Sequence, residues 1–380
     1  MINHRLFFLY FCYAPNTAFM NRAKAYWDAL DKIGIKATIV FFMPDNEYSK
    51  LNASYNNIKI KYYWDKYYIP NKYFKYISYY FYQKLFLRQL RKGDRVYLYG
   101  LADFLCSISG KKGINVYYET TEHPSVVPLG TACYRPSVQK HIESCRKLTG
   151  MFVISSPLKH FFVENGIRED KIHIINMTVD SNRFKDIEKQ PDTEKYIAYC
   201  GIVSNNKDGV DDLIKAFALV SQKHDDVKLY IIGKVPSHNE ERENIKLVNS
   251  LGITDKVVFT GVVTSEAMPQ LLKNAIALAL ARPDSLQAQC GFPTKLGEYL
   301  LSGNPVVVTS VGDIPLFLKN EENAMIVEQR NVVEFAEKLC WVLEHPNEAQ
   351  IIGEKGKKVA LESFNAEIET RKLIEVIQNK

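Results

Sequence analysis

The 380-residue chain has no apolar run near the roughly 18–20 residues that a membrane-spanning helix needs. Its seven cysteines are odd in number and scattered, and none forms a C-x-x-C pair or a Cys/His cluster at metal-ligand spacing. A disulfide framework and a structural zinc site are thereby excluded. The sequence also lacks a D-x-D acidic motif, a short internal repeat and a low-complexity tract. RNP, zinc-knuckle and helix-turn-helix patterns are missing too, which argues against nucleic acid as a partner. Residues 6–12, LFFLYFC, are too few for a signal-peptide core, hold a tyrosine and run into a helix-like segment, so they read as a first buried strand. With 46% hydrophobic and 24% charged residues the chain has the composition of a soluble globular protein, its scattered cysteines suit a reducing, cytoplasmic setting, and its length suits about two domains.

The net charge of +6 conceals a division. Residues 1–185 carry 27 Lys and Arg against 14 Asp and Glu, while the remainder carries 22 against 29. Residues 59–95 hold ten basic and two acidic residues among many tyrosines. Basic residues mixed with aromatics suit an anionic membrane surface or another anionic ligand. The same stretch also reads as a solvated amphipathic helix, although Tyr76, Tyr79, Tyr80, Gln83 and Leu87 do not share one face cleanly.

Short apolar runs alternate with helical patterns along the chain, the signature of an α/β architecture with parallel sheets covered on both faces. In the first half this spacing predicts strands at 6–12, 36–42, 56–61, 95–99, 114–118, 150–155 and 171–175, and helices near 19–33, 72–91, 135–147 and 157–165. Polar, Pro-containing residues 185–195 read as a linker. A second series follows, with strands at 196–200, 227–232, 257–260, 276–280, 305–308 and 324–327. Its helices are predicted at 210–222, 238–250, 266–273, 293–302, 332–344 and 364–378. Ligands of such sheets bind beyond the carboxyl ends of the strands, so the loops leaving each strand carry the information.

The most informative is 282–309, RPDSLQAQCGFPTKLGEYLLSGNPVVVT. It reads as a loop, a helix opening at Gly291, Phe292, Pro293 and Thr294, and a buried strand. Pro293 suits the first turn, where its missing N–H costs nothing; Gly303 suits the position past the end, with Pro305 as a stop. A helix start gathers unpaired N–H groups and the positive end of the dipole, which favour phosphate. Arg282 and Lys295 supply two cations for a diphosphate, and Glu298, a turn into the helix, suits the hydroxyls of a ribose. In outline this is a nucleotide-sugar site.

The segment resembles the donor-binding signature of the GT-B glycosyltransferases, specifically retaining family 4 (glycosyl transferases group 1), in a GFPTKLGEYL variant. CGIVSNNKDGVDDLIKAF (200–217) and VISSPLKHFFVENGIREDKIHIINMTVDSNRF (153–184) resemble two further stretches of that family. The resemblance implies two doubly wound Rossmann-like domains facing a central cleft. Residues 1–185 would be the acceptor domain, 186–362 the donor domain, and 363–380 a helix crossing back to the first. It implies a nucleotide diphosphate-sugar as donor, a glycan or lipid-linked glycan as acceptor, and no metal or other cofactor. Domain closure would exclude water from the reaction.

Carried onto this chain, the resemblance assigns donor contacts to Gly201, Lys207, Gly233, Gly261, Val262, Arg282, Gly291, Phe292, Pro293, Thr294, Lys295 and Glu298. Asn16, Thr17, Arg22 and Glu119 would face the acceptor, since the Gly-Gly pair common after the first strand is missing. Glu122 and His123 are the alternatives for the catalytic group beside the transferred sugar, with Lys207 and Arg282 stabilising the leaving diphosphate. The chain departs from the family at two places. Ile202 stands where relatives have an Arg, for which Arg282 is the replacement. Cys290 stands where the first of two glutamates is expected, leaving Asp284, Gln287 or Gln289 to meet the sugar. These departures keep open a nucleotide-sugar-binding subunit without activity, or an epimerase of the same fold.

Overall fold

A computed structural model describes residues 4–15, 17–67, 75–130, 134–191 and 194–379. The chain forms two compact units, one of residues 1–176 with 366–380 and one of residues 177–365.

The first unit is a seven-stranded sheet built from β1 (Leu6–Tyr10), β2 (Ala37–Phe41), β3 (Ile58–Tyr62), β4 (Arg95–Tyr99), β5 (Asn115–Thr120), β6 (Gly150–Val153) and β7 (Ile172–Ile174), in the order β3-β2-β1-β4-β5-β6-β7. All neighbours pair in parallel. Because both faces of such a sheet are covered, the central strands are apolar throughout rather than alternating; β1, LFFLY, is buried along its whole length. Phe8, Tyr10, Phe41, Tyr97 and Phe152 meet Tyr26, Trp27 and Leu30 of the helix Ala18–Lys32 in one cluster. The helix Ala366–Gln378 closes the same cluster with Leu373, Ile374 and Ile377, which recur at helical spacing. That apolar stripe places the C-terminal helix in the first unit although 189 residues of chain form the other unit in between.

The second unit carries β8 (Tyr196–Cys200), β9 (Lys228–Ile232), β10 (Val257–Gly261), β11 (Ala277–Leu280), β12 (Val306–Thr309) and β13 (Met325–Val327), in the parallel order β10-β9-β8-β11-β12-β13. Each unit thus starts in the middle of its sheet, builds outward on one side, then returns to build on the other.

Three differences from the sequence reading have clear causes. The units divide at Asn176 rather than at 185, because Val179 already pairs with the far end of the second unit: its N–H donates to Phe364 O at 3.0 Å and it bridges Asn365. The helix Pro346–Ser363 is not foreseen by hydrophobic spacing, because its buried face is largely small: Ala349, Ile352, Gly353, Gly356 and Ala360. Lastly, the helix Lys75–Gln89 does have a buried stripe, Tyr79, Tyr82, Gln83 and Phe86, which shares Tyr79 and Gln83 with the sequence pattern and leaves out Tyr76, Tyr80 and Leu87. Its opposite face exposes Ile77, Tyr80 and Phe81, then Lys84 and Arg88. No helix among the described residues is long and apolar enough to cross a membrane.

Candidate functional site

In the second unit the chain reverses its direction of building between β8 and β11, so the loops leaving these neighbouring strands diverge and open a crevice at their carboxyl ends. Three loops with glycine at their start line one side. Gly201 N–H donates to Ile232 O at 2.9 Å, and Gly233 N–H donates to Gly261 O at 2.9 Å, so the ends of β8, β9 and β10 are laced together. Gly201 has φ +152°, and a Cβ there would stand 2.2 Å from Lys295 Nζ. Only glycine lets the lysine lie against this backbone. Val262, just beyond Gly261, is 74% exposed.

The helix Thr294–Leu301 brings Lys295 and Glu298 to the crevice. Leu296, Gly297, Tyr299 and Leu300 are buried, which turns Lys295 and Glu298 to the remaining face. Pro293 sits at the N-cap rather than in the first turn, and no side chain caps this end. Ser302 closes the helix and Gly303, at φ +75°, follows it, the left-handed position expected past a helix end. Upstream, a short helix Leu286–Cys290, capped by Ser285, was not foreseen.

That short helix occupies two of the expected donor contacts with contacts inside the protein. The Gly291 N–H is engaged by Gln287 O at 3.1 Å rather than offered to a phosphate. Phe292 is buried, its ring 5.5 Å from those of both Phe317 and Phe364, so it anchors the loop in the core instead of facing a ligand. Thr294 is half-buried at the helix start. Cys290, in the place of the missing glutamate, is 5% exposed.

Around Lys295 the charges form a compact group. Its ammonium pairs with Asp208 and donates to Tyr199 Oη at 2.9 Å, while Tyr199 Oη lies 2.9 Å from Asp208 Oδ2. Arg282 approaches the other carboxylate oxygen at 3.4 Å and donates to Ala288 O at 3.0 Å. Arg282, expected as a diphosphate ligand, is 1% exposed, with its guanidinium on Asp208 and on the carbonyl of Ala288 beneath the crevice. Burial pushes Asp208 up, but Lys295 and Arg282 outweigh it and hold the carboxyl below its ordinary range. Burial lowers the Lys295 ammonium, and Asp208 offsets only part of that. Lys207 lies half-buried in the adjoining short helix Asn205–Asp208.

Glu298 is paired as well. Arg183 reaches it with one guanidinium nitrogen and donates to Ser265 O at 2.8 Å with another. Sequence reasoning missed Arg183; its only signal was its place in the family-like stretch ending NMTVDSNRF. Ile202, where the resemblance called for an arginine, stands 56% exposed, and Gln289 is held by Asp284.

In the first unit, burial rearranges the remaining assignments. Asn16 lies outside the described residues. Thr17 caps the helix Ala18–Lys32, accepting from Met20 N–H at 3.2 Å and donating to Ala14 O at 2.9 Å. Arg22 and Glu119, expected to face an acceptor, are 3% and 0% exposed and pair at 2.7 Å. Their polar atoms are committed to each other, to Tyr26 and Tyr97, and to Ile175 O and Asn176 O. His123 is 5% exposed; its ring packs 4.1 Å from that of Phe161 and its Nδ1 lies 3.2 Å from Ser125 N. Burial pushes its pKa down and keeps it neutral near pH 7. Glu122 is half-buried, and its carbonyl accepts from Thr120 Oγ1 at 3.1 Å. Among the described residues, no three His, Cys, Asp or Glu side chains group in a way that could hold a metal.

Two parallel sheets in this order, each with its own switch point, define a GT-B architecture, and a solved structure of the Anabaena protein HepE with UDP shares it. That protein matches 99% of this chain and 100% of its own with a TM-score of 0.74 at 15% identity. Residues 194–345 match the family glycosyl transferases group 1. An uncharacterised glycosyltransferase of Methanocaldococcus jannaschii is 29% identical over 175 residues, 46% of this chain and 42% of that protein. An MMP alpha-(1->4)-mannosyltransferase of Mycolicibacterium hassiacum is 25% identical over 230 residues, 60% of this chain and 53% of its own length. The chain thus spans about half or less of the length of these two relatives.

Proposed function

We propose that this protein is a glycosyltransferase that moves a sugar from a nucleotide diphosphate-sugar to an acceptor hydroxyl with retention at the anomeric carbon. The observation that carries this reading is the placement of Lys295 and Glu298 on one face of a helix with an uncapped start beside the β8/β11 switch point, within the residues that match glycosyl transferases group 1. As the glycosidic bond to the donor breaks, negative charge grows on the leaving diphosphate. Lys295, Lys207 and the amides opening the helix Thr294–Leu301 stabilise it from fixed positions. Glu298 takes the ribose hydroxyls, exchanging Arg183 for them, and the turns at Gly233 and Gly261 receive the base. HepE has been solved with UDP, which makes UDP the first donor nucleotide to try. These charges come from the protein's own side chains, so the reaction runs without an added metal. Glu122 remains the carboxylate for the acceptor side, since His123 is buried.

The acceptor is a glycan, free or lipid-linked, of the kind used in bacterial surface polysaccharide assembly. The exposed face of the helix Lys75–Gln89 supports work at the inner membrane surface: Ile77, Tyr80 and Phe81 lie beside Lys84 and Arg88, and residues 75–93 contain no Asp or Glu. The deciding experiment is a thermal-shift screen against UDP, GDP, ADP, dTDP and CMP with and without EDTA, followed by release of nucleotide from the matching nucleotide-sugar. A shift that survives EDTA, with nucleotide released only when acceptor is added, supports transfer. A shift without turnover supports a binding subunit, the reading that Cys290 and Ile202 favour. Sugar conversion without acceptor supports an epimerase.

A further inference from the structure

Beside Glu298, the crevice holds a second carboxylate, Asp208, for which an anion site has no evident use. Asp208 is 1% exposed and closes the short helix Asn205–Asp208 in the loop after β8. Gly209 fixes it there: at φ +65°, a Cβ on Gly209 would stand 1.8 Å from Ala281 O, so this loop is pressed onto the end of β11. Its two oxygens are divided between two cations, Arg282 on Oδ1 and Lys295 on Oδ2, so the three buried charges sum to a single positive one. Lys295 is the only member of that trio with access to water, its side chain 15% exposed against 1% for each partner. Its ammonium lies 4.6 Å from the Tyr199 ring centre and against the Gly201 backbone at the carboxyl end of β8.

We propose that Asp208 is a positioning residue of the donor site: it aims the Lys295 ammonium across Gly201 into the switch-point crevice, while Arg282 fixes the carboxylate from behind. This rests on the nucleotide-diphosphate reading above. A lysine side chain has four rotatable bonds and is seldom held in one place. Anchoring it on a fixed carboxylate removes the ordering cost that a diphosphate would otherwise meet on binding. Asp208 also sets the proton on that nitrogen. The groups facing it are Asp208, Cys200 and Arg282, with the Tyr199 hydroxyl and ring. Burial and the Arg282 charge favour the neutral amine, and Asp208 opposes them. Without the carboxylate the amine releases its proton at lower pH. Arg282, by contrast, stays charged at every working pH and serves only to orient.

The test is UDP affinity by titration calorimetry between about pH 6 and pH 9.5, for wild type, Asp208→Asn, Asp208→Glu and Lys295→Ala. Ratios to wild type at each pH remove the titration of UDP itself. The Asn variant keeps a side-chain oxygen that accepts from the Lys295 ammonium and so keeps its aim; it is expected to bind within about threefold of wild type at the acid end. It then weakens with pH by up to about tenfold per unit, the limiting slope for loss of one proton. The Glu variant keeps the wild-type profile, and Lys295→Ala is weak throughout and shows no such limb. A uniform loss at all pH values in Asp208→Asn, or a profile parallel to wild type, overturns the proposal and leaves the donor reading intact. If wild type binds no UDP, inorganic diphosphate serves as the probe. Failure of both with wild type removes the donor reading and this proposal together. Lys295 amine reactivity toward reductive methylation, followed in the unliganded protein, gives a second readout. A faster rate at neutral pH in Asp208→Asn than in Asp208→Glu is expected, and equal rates overturn the proposal.

Discussion

Arg22 and Glu119 meet at 2.7 Å with almost no access to water; Arg22 also donates to Ile175 O and Asn176 O, and Glu119 also accepts from Tyr26 and Tyr97. Removing one member of a buried pair leaves the other charge uncompensated, at a cost of about 3–5 kcal/mol. Glu119→Ala should therefore lower the unfolding free energy by about that amount in urea denaturation. Nucleotide binding in the folded fraction should be retained. A soluble, fully stable Glu119→Ala protein with lost acceptor affinity would restore the ligand role first assigned to it.

Lys295→Ala and Lys207→Ala are expected to weaken nucleotide binding and to lower kcat by about 100-fold each, the scale seen when a donor to developing charge is removed. Cys290→Ala, at a buried apolar position, should leave both within about threefold, since it removes only a small buried group. Wild-type kinetics in both lysine variants would remove the phosphate site.

Glu298 can be tested by its ligand rather than by loss of activity alone. If it takes the ribose hydroxyls, wild type should bind the 2′-deoxy form of its nucleotide about tenfold more weakly, equivalent to one hydrogen bond to a charged group. Glu298→Gln should lose that discrimination. Arg183→Ala, which frees Glu298, should tighten ribonucleotide binding or leave it unchanged; a large loss would make Arg183 itself a ligand contact.

Vesicle co-sedimentation checks the membrane face. Lys84→Glu with Arg88→Glu should reduce binding to vesicles of one-third anionic lipid by at least about 20-fold, at about 1 kcal/mol per basic residue lost. Neutral vesicles should bind both proteins weakly.

His141 makes stability pH-dependent. It is 1% exposed and burial pushes its pKa down to about 4. The unfolded chain takes up this proton near pH 6.5 and the folded protein only near 4, so stability is intact above about pH 6.5 and falls as the pH drops through that window. The full effect is about 3 kcal/mol. His141→Phe should flatten the melting temperature between about pH 6.5 and 4.5; an unchanged slope would assign the acid sensitivity elsewhere.

The sequence by itself determined the class of fold and the helix that opens the site. Strands such as LFFLY and VVVT and the stripe Val210, Leu213, Ile214 and Phe217 declare their burial through the residues nearest them. Pro293 and Gly303 mark helix ends through their own backbone chemistry. Only the tertiary structure decided which charges meet. Asp208 and Lys295 are 87 residues apart, Arg183 and Glu298 115, and Arg22 and Glu119 97. No local pattern distinguishes an arginine destined for a ligand from one destined for a carboxylate behind it. Sheet order brings the ends of β8 and β11 side by side, and burial then forces each cation there to find its counter-charge. That is why Arg282, which reads as a ligand in the sequence, is found against Asp208; in the first unit burial pairs Arg22 with Glu119 in the same way.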